Sequence, residues 1–250
     1  MRYWTALYLA LLLNACSTSV GIDPPAENVY DPVVFEAAFL EIERTPGDQR
    51  LSLFNGFNAT QFMLHVPADT SAPRPLIIAL HWSGSDTAVE DYFECLAVPG
   101  LDTLDAYIIA PRDTEGNWLT TINLFNISEL RALALRHWPV DPDRIAVTGY
   151  GLGGIGSYQL ADKYGELFSA VIPMAGAYPP EERLTVPAYV IHGTLDNVFL
   201  VNFAREEVRA ARALGSDIRL VEAEGLGHGL PCAYLDYFKA AAVWLEEEVW

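Results

Sequence analysis

The feature that most limits how this chain folds is an alternation. From Gln61 onward, short β-forming runs recur: QFMLHV (61–66), LIIAL (76–80), AYIIA (106–110), RIAVTG (144–149), AVIPMAG (170–176), AYVIHG (188–193) and IRLVEA (218–223). Several are nearly unbroken apolar stretches, the pattern of parallel strands covered on both faces. Between them lie segments of helical character: SELRALALRHW (128–138), the stretch after Gly153, and VNFAREEVRAARALG (201–215), which ends on a capping glycine. A last helix, from about Ala233, sets Leu235, Phe238, Ala242, Leu245 and Val249 on one face, a core-facing stripe. This order predicts an α/β fold with a central, mostly parallel sheet, right-handed crossovers and helices on both faces. Every connection is modest in length, so no large cap domain is expected.

The 250 residues suffice for one large domain, and with 51% of them apolar and 19% charged the chain is expected to be globular. A net charge of −18 argues against nucleic acid as a partner, because its phosphates would be repelled. Residues 1–16 read as a separate signal segment. Arg2 supplies a positive start and YWTALYLALLL an apolar core too short to span a bilayer. LNAC (13–16) then resembles the bacterial lipobox, with Asn14 a less usual residue in it. That resemblance implies lipidation of Cys16 and anchoring in the bacterial cell envelope, with Ser17 pointing to the outer membrane; an ordinary secretory signal with an incidental cysteine is the alternative. Residues 17–35 are expected to be a tether and 36–250 the folded domain. With Cys16 modified, Cys95 and Cys232 remain, and the sequence is compatible both with a disulfide between them and with two buried thiols.

Four motifs carry chemistry, in order along the chain. ALHWSGSD (79–86) follows the run at 76–80, and DPDRIAVTGYGLGGIG (141–156) joins a strand through a glycine-dense turn to a helix. VIHGTLDNV (190–198) follows the next strand but one, and AEGLGHGLPCAY (223–234) lies between the last strand and the last helix. Over Gln61 to the C-terminus the chain resembles an α/β-hydrolase-fold esterase, of the compact group that includes polyhydroxybutyrate-depolymerase-like and feruloyl-esterase-like proteins. The resemblance implies a catalytic acid at Asp196, a histidine base at His228, and oxyanion-binding N–H groups at Ser83 and Leu152. Where the family has glycine after the oxyanion-loop histidine, this chain has Trp82.

The nucleophile serine of the G-x-S-x-G turn falls on Gly151, in Gly149-Tyr150-Gly151-Leu152-Gly153. Glycine has no atom with which to attack. The elbow also holds its central residue in a sparsely allowed backbone region, so glycine there relieves strain of about 1–3 kcal/mol. The leading reading is therefore a degenerate, serine-less esterase that binds a small ester, acyl or glycan-derived ligand. One alternative is a working ester hydrolase, using a water activated by His228 or a serine outside the elbow such as Ser83 or Ser85. Another is a structural envelope protein that uses the fold as an interaction surface. Trp82, Trp118 and Tyr150 are candidate pocket residues, with packing tryptophans as the alternative. Ser157, six residues past Gly151, is expected to be structural. No metal-ligand cluster or phosphate loop is apparent, so no cofactor is expected, and protein partners are not legible.

Overall fold

The computed structural model describes residues 30–84 and 86–250. Cys16, with the rest of the expected signal and tether up to residue 29, lies outside the described residues, as does Ser85. Eight strands form one sheet in the order β1-β2-β4-β3-β5-β6-β7-β8. They are β1 (Gly47–Phe54), β2 (Ala59–Val66), β3 (Arg74–Leu80), β4 (Tyr107–Pro111), β5 (Val140–Tyr150), β6 (Ala170–Met174), β7 (Ala188–Gly193) and β8 (Ile218–Ala223). The pairs β1/β2 and β2/β4 are antiparallel and the others parallel.

Both faces of the sheet are covered, which is why its parallel strands are continuously apolar. Along β3, Leu76, Ile78 and Leu80 join a core with α1 (Pro32–Leu40), α4 (Thr121–His137), α5 (Leu152–Lys163) and α6 (Val201–Ala213). Ile77 and Ala79 face the other core, made with α2 (Ala88–Tyr92), the turn Phe93–Ala97, α3 (Val98–Gly100) and α7 (Leu235–Trp244). Phe238, Ala242 and Leu245 of the last helical segment are fully buried, and Leu235 and Val249 lie at the edge of that core.

Two elements differ from the sequence expectation. The segment expected as tether to residue 35 already contains the start of α1, so the folded domain begins before residue 36. Asp31 caps this helix by accepting the N–H groups of Val33 and Val34, Pro32 opens it, and Phe35 and Phe39 bury completely. β1 was not anticipated either. Its signal is short, Leu51 and Leu53 alternating with Arg50 and Ser52, and its partner β2 supplies the register.

Cys95, in the turn Phe93–Ala97, is disulfide-bonded to Cys232 with Cα atoms 5.4 Å apart. The bond joins segments 137 residues apart and ties down the stretch just after His228.

Candidate active site

β3 and β5 pair side by side, with Leu80 opposite Gly149, while the connections through β4 and β6 leave on opposite sides. A sheet of this kind opens a crevice at the carboxyl ends of its strands at that point. The loops after β3, β5, β7 and β8 converge there. Those after β3, β5 and β8 line a pocket of about 400 Å³ with Trp82, Ser83, Tyr150, Leu152, His228, Gly229 and Pro231, and the loop after β7 brings Asp196 against His228.

The turn between β5 and α5 is built by close approach. A Cβ on Gly149 would lie 2.2 Å from the carbonyl oxygen of Gly153, one on Gly153 1.9 Å from that of Leu80, and one on Gly154 2.4 Å from that of Met174. Strand and helix can cross this tightly only without side chains at those positions. Gly151 is different. Its φ is +59° and its ψ −115°, a region few side-chain-bearing residues adopt, yet a Cβ there would have as its nearest neighbours His228 Nε2 at 3.4 Å, His228 Cε1 at 3.6 Å and Trp82 Cβ at 3.6 Å. The backbone is pinned on both sides: Gly151 N–H donates to Met174 O and Ile155 N–H to Gly151 O.

His228 Nδ1 lies 2.8 Å from Asp196 Oδ2. The buried carboxylate accepts, so Nδ1 carries a proton, and in the neutral ring Nε2 presents its lone pair toward the space above Gly151. The other oxygen, Asp196 Oδ1, accepts the N–H groups of Val198 and Phe199 at 2.9 Å each, which fixes the carboxylate. Tyr150 is buried, and burial pushes its phenol pKa well up, so it stays a donor; its hydroxyl donates to the His228 carbonyl at 2.8 Å. The ring of Phe199 meets that of His228 edge-on at 5.4 Å.

Two further histidines brace the loops. His81 Nδ1–H donates to Trp82 O at 2.6 Å, and its Nε2 accepts Asp113 N–H at 3.0 Å. Burial holds its pKa below the usual range, which suits a neutral ring that both donates and accepts. His192 is fully buried and also shifted down by burial; its Nε2–H donates to Phe199 O at 2.6 Å, supporting the loop that holds Asp196.

The sequence profile of one family matches residues 117–248, just over half of the chain: the dienelactone hydrolase family. The chain belongs to the dienelactone hydrolase family. No curated protein sequence matches it. Among solved structures, this family member is similar to a thermostable esterase, at 22% identity and a TM-score of 0.66 over 80% of this chain and 62% of that one. The chain thus spans under two thirds of that esterase. It is also similar to FphF, a fluorophosphonate-binding serine hydrolase of Staphylococcus aureus, at 12% identity and a TM-score of 0.69 over 82% of this chain and all of that one. Thermogutta terrifontis esterase 2, phosphorylated by paraoxon, matches at 16% identity and a TM-score of 0.65, over 82% and 95% of the two chains. These likenesses establish the α/β-hydrolase fold.

Within this dienelactone hydrolase family member, the structure brings Gly151, Asp196, His228, Ser83, Leu152, Trp82 and Tyr150 together. It does not bring Trp118. That indole is buried, with Nε1–H donating to His81 O at 3.3 Å and its Cβ where a side chain on Gly156 would be. Trp118 packs edge-on against the His81 ring and is not among the residues that line this pocket. Ser157 is buried with its hydroxyl donating to Gly154 O at 2.9 Å. Trp82 stands half-buried at the wall, its ring edge-on to Tyr92 and Tyr150, and leaves the pocket open. The Tyr150–His228 bond and the Phe199 contact carry no sequence signal, since they join residues far apart in the chain. Among the described residues, no group of histidine, cysteine, aspartate and glutamate side chains is arranged to hold a metal ion.

Proposed function

We propose that this protein is a serine-less member of its family, with narrower kinship to polyhydroxybutyrate-depolymerase-like and feruloyl-esterase-like esterases. On this reading it is lipid-anchored through Cys16 and uses its pocket to bind a small ester, acyl or glycan-derived ligand. The observation that carries the reading is the geometry around Gly151. A first side-chain atom there fits at ordinary contact distance, 3.4 Å from His228 Nε2, so base and acid stand around an attacking atom the chain does not have. Ser83 and Leu152, the latter at the start of α5 where the helix dipole favours negative charge, line the same pocket as expected oxyanion donors. The test is reaction with a fluorophosphonate. The native protein is expected to stay unlabelled, and a stoichiometric adduct would contradict the proposal.

A second reading rests on the lone pair of His228 Nε2 facing the open space above Gly151. A water there would attack the ester carbonyl as its proton passes to Nε2, and Asp196 would stabilise the imidazolium. Collapse of the tetrahedral oxyanion would expel the alcohol, which takes that proton back. Slow hydrolysis abolished by His228→Ala would establish this reading, and activity indifferent to that substitution would end it. The open pocket weighs against a purely structural role.

A further inference from the structure

The exposed apolar side chains of this domain are unevenly placed. Phe54 and Phe57 at the β1–β2 turn, Leu195 and Val198 in the loop after β7, Phe203 in the first turn of α6 and Leu230 after His228 are each more than half exposed. All six lie at the end of the sheet that holds the pocket. For the last four this follows from strand direction, since β7 and β8 run parallel to β5 and end where it ends. For the hairpin it follows from register. β2 is antiparallel to β4 with Phe62 opposite Pro111, so the residues before Phe62 reach past the carboxyl end of β4. Among the described residues, Leu40, Leu214 and Val243 are exposed toward the opposite end, each on a different element. Scattered exposed apolar residues are ordinary, but a set flanking one pocket on both sides marks an interaction face.

The chain also enters at this end. Asp31 N–H donates to the carbonyl of Asn55 in the hairpin turn at 2.9 Å. Cys16 lies fourteen residues before Tyr30, a separation that an extended chain spans in at most about 50 Å. A lipid on Cys16 would therefore hold the membrane within reach of the apolar end. The net charge of −18 disfavours an anionic surface and leaves a zwitterionic one unopposed.

We infer that the pocket-bearing end of the domain docks on the zwitterionic lipid surface in which Cys16 is anchored, seating these six side chains at headgroup level and letting ligands reach the pocket from the bilayer. The inference rests on the lipid-anchor reading of Cys16. Its test uses the full chain reconstituted in phosphatidylcholine vesicles. Hydrogen exchange is followed at 54–58, 195–203 and 229–231 against 40–46 and 214–217, and the mass of the N-terminal peptide reports lipid on Cys16 in the same sample. A Phe57→Ser, Phe203→Ser, Leu230→Ser variant is treated alike. The expected result is lipid on Cys16, with exchange several-fold slower in the first set for the native chain than for the variant and unchanged in the second. Lipid on Cys16 with no such difference overturns the docking and leaves the anchor standing; no lipid on Cys16 overturns both. Slowing that appears without vesicles and grows with protein concentration would assign the face to a second copy of the chain and overturn the inference.

Discussion

Four glycines of one turn behave in two ways. At Gly149, Gly153 and Gly154 a Cβ would collide with backbone carbonyls at 2.2, 1.9 and 2.4 Å, so packing alone demands glycine. At Gly151 the same atom finds ordinary contact distance and only the positive φ objects. The first three glycines therefore hold the fold, while the fourth bears on what the pocket can do. On the proposed reading, a chain can lose the chemistry of such a turn and keep its fold, because glycine at the centre relieves backbone strain. Catalytic and structural demands on one short segment are thus separable.

The comparison yields predictions that sharpen or break it, the largest effect first. In a Gly151→Ser protein, Asp196→Asn would place an amide against His228 Nδ1 and favour the wrong tautomer, leaving Nε2 unable to accept a proton. Hydrolysis of p-nitrophenyl esters should then fall about 10⁴-fold, as in other triads; a loss under tenfold would mean that Asp196 does not orient the base. Reducing Cys95–Cys232, whose partners are 137 residues apart, should cost about 5 kcal/mol, read by denaturant unfolding with and without reductant. Because the bond holds the segment after His228, it should also depress ester hydrolysis by the Gly151→Ser protein.

Gly153→Ala should destabilise by about 3 kcal/mol, lowering Tm by roughly 6–12 °C, because strand and helix must separate. Gly151→Ala should lose only about 1–2 kcal/mol, from backbone strain. Equal losses in thermal melts would erase the distinction between the two glycines. The smallest effect is away from the pocket. On α6, burial raises the Glu207 carboxyl to about 7, opposed by the Tyr178 N–H it accepts. The folded state then keeps a proton that the unfolded chain releases above its ordinary value of 4.5. The stabilisation is complete below that pH and is lost as pH rises through about 7. Solvent screening of this partly exposed group limits it to about 1 kcal/mol. Glu207→Gln should flatten that part of the pH–stability curve, and an unchanged slope would show that Glu207 is not its source.

The sheet was largely legible in the sequence, because strands buried on both faces must be apolar throughout, and LIIAL or AYVIHG admit few other readings. The loops after β3, β5, β7 and β8 were legible through their glycines and through the order of Asp196 and His228, which meet at 2.8 Å. Other parts were hidden for physical reasons. α1 is nine residues long and announces itself only through Asp31, Pro32 and the spacing of Phe35 and Phe39. β1 is an edge strand with one wet face, so its pattern is faint. For Trp118 the sequence leaves a pocket residue and a packing tryptophan both open, and its buried indole against His81 is the second, since an aromatic residue near a motif says nothing about which side of the loop it packs on. The Tyr150–His228 bond and the apolar rim join segments distant in sequence, and only folding reveals them.

The most direct measurement is hydrolysis of short-chain p-nitrophenyl esters by the native protein beside Gly151→Ser. The account predicts a native rate near background and a gain of at least about 10³-fold on restoring the hydroxyl opposite His228, with new reactivity toward fluorophosphonates. Two silent proteins, or a native protein already as fast as the variant, would contradict it.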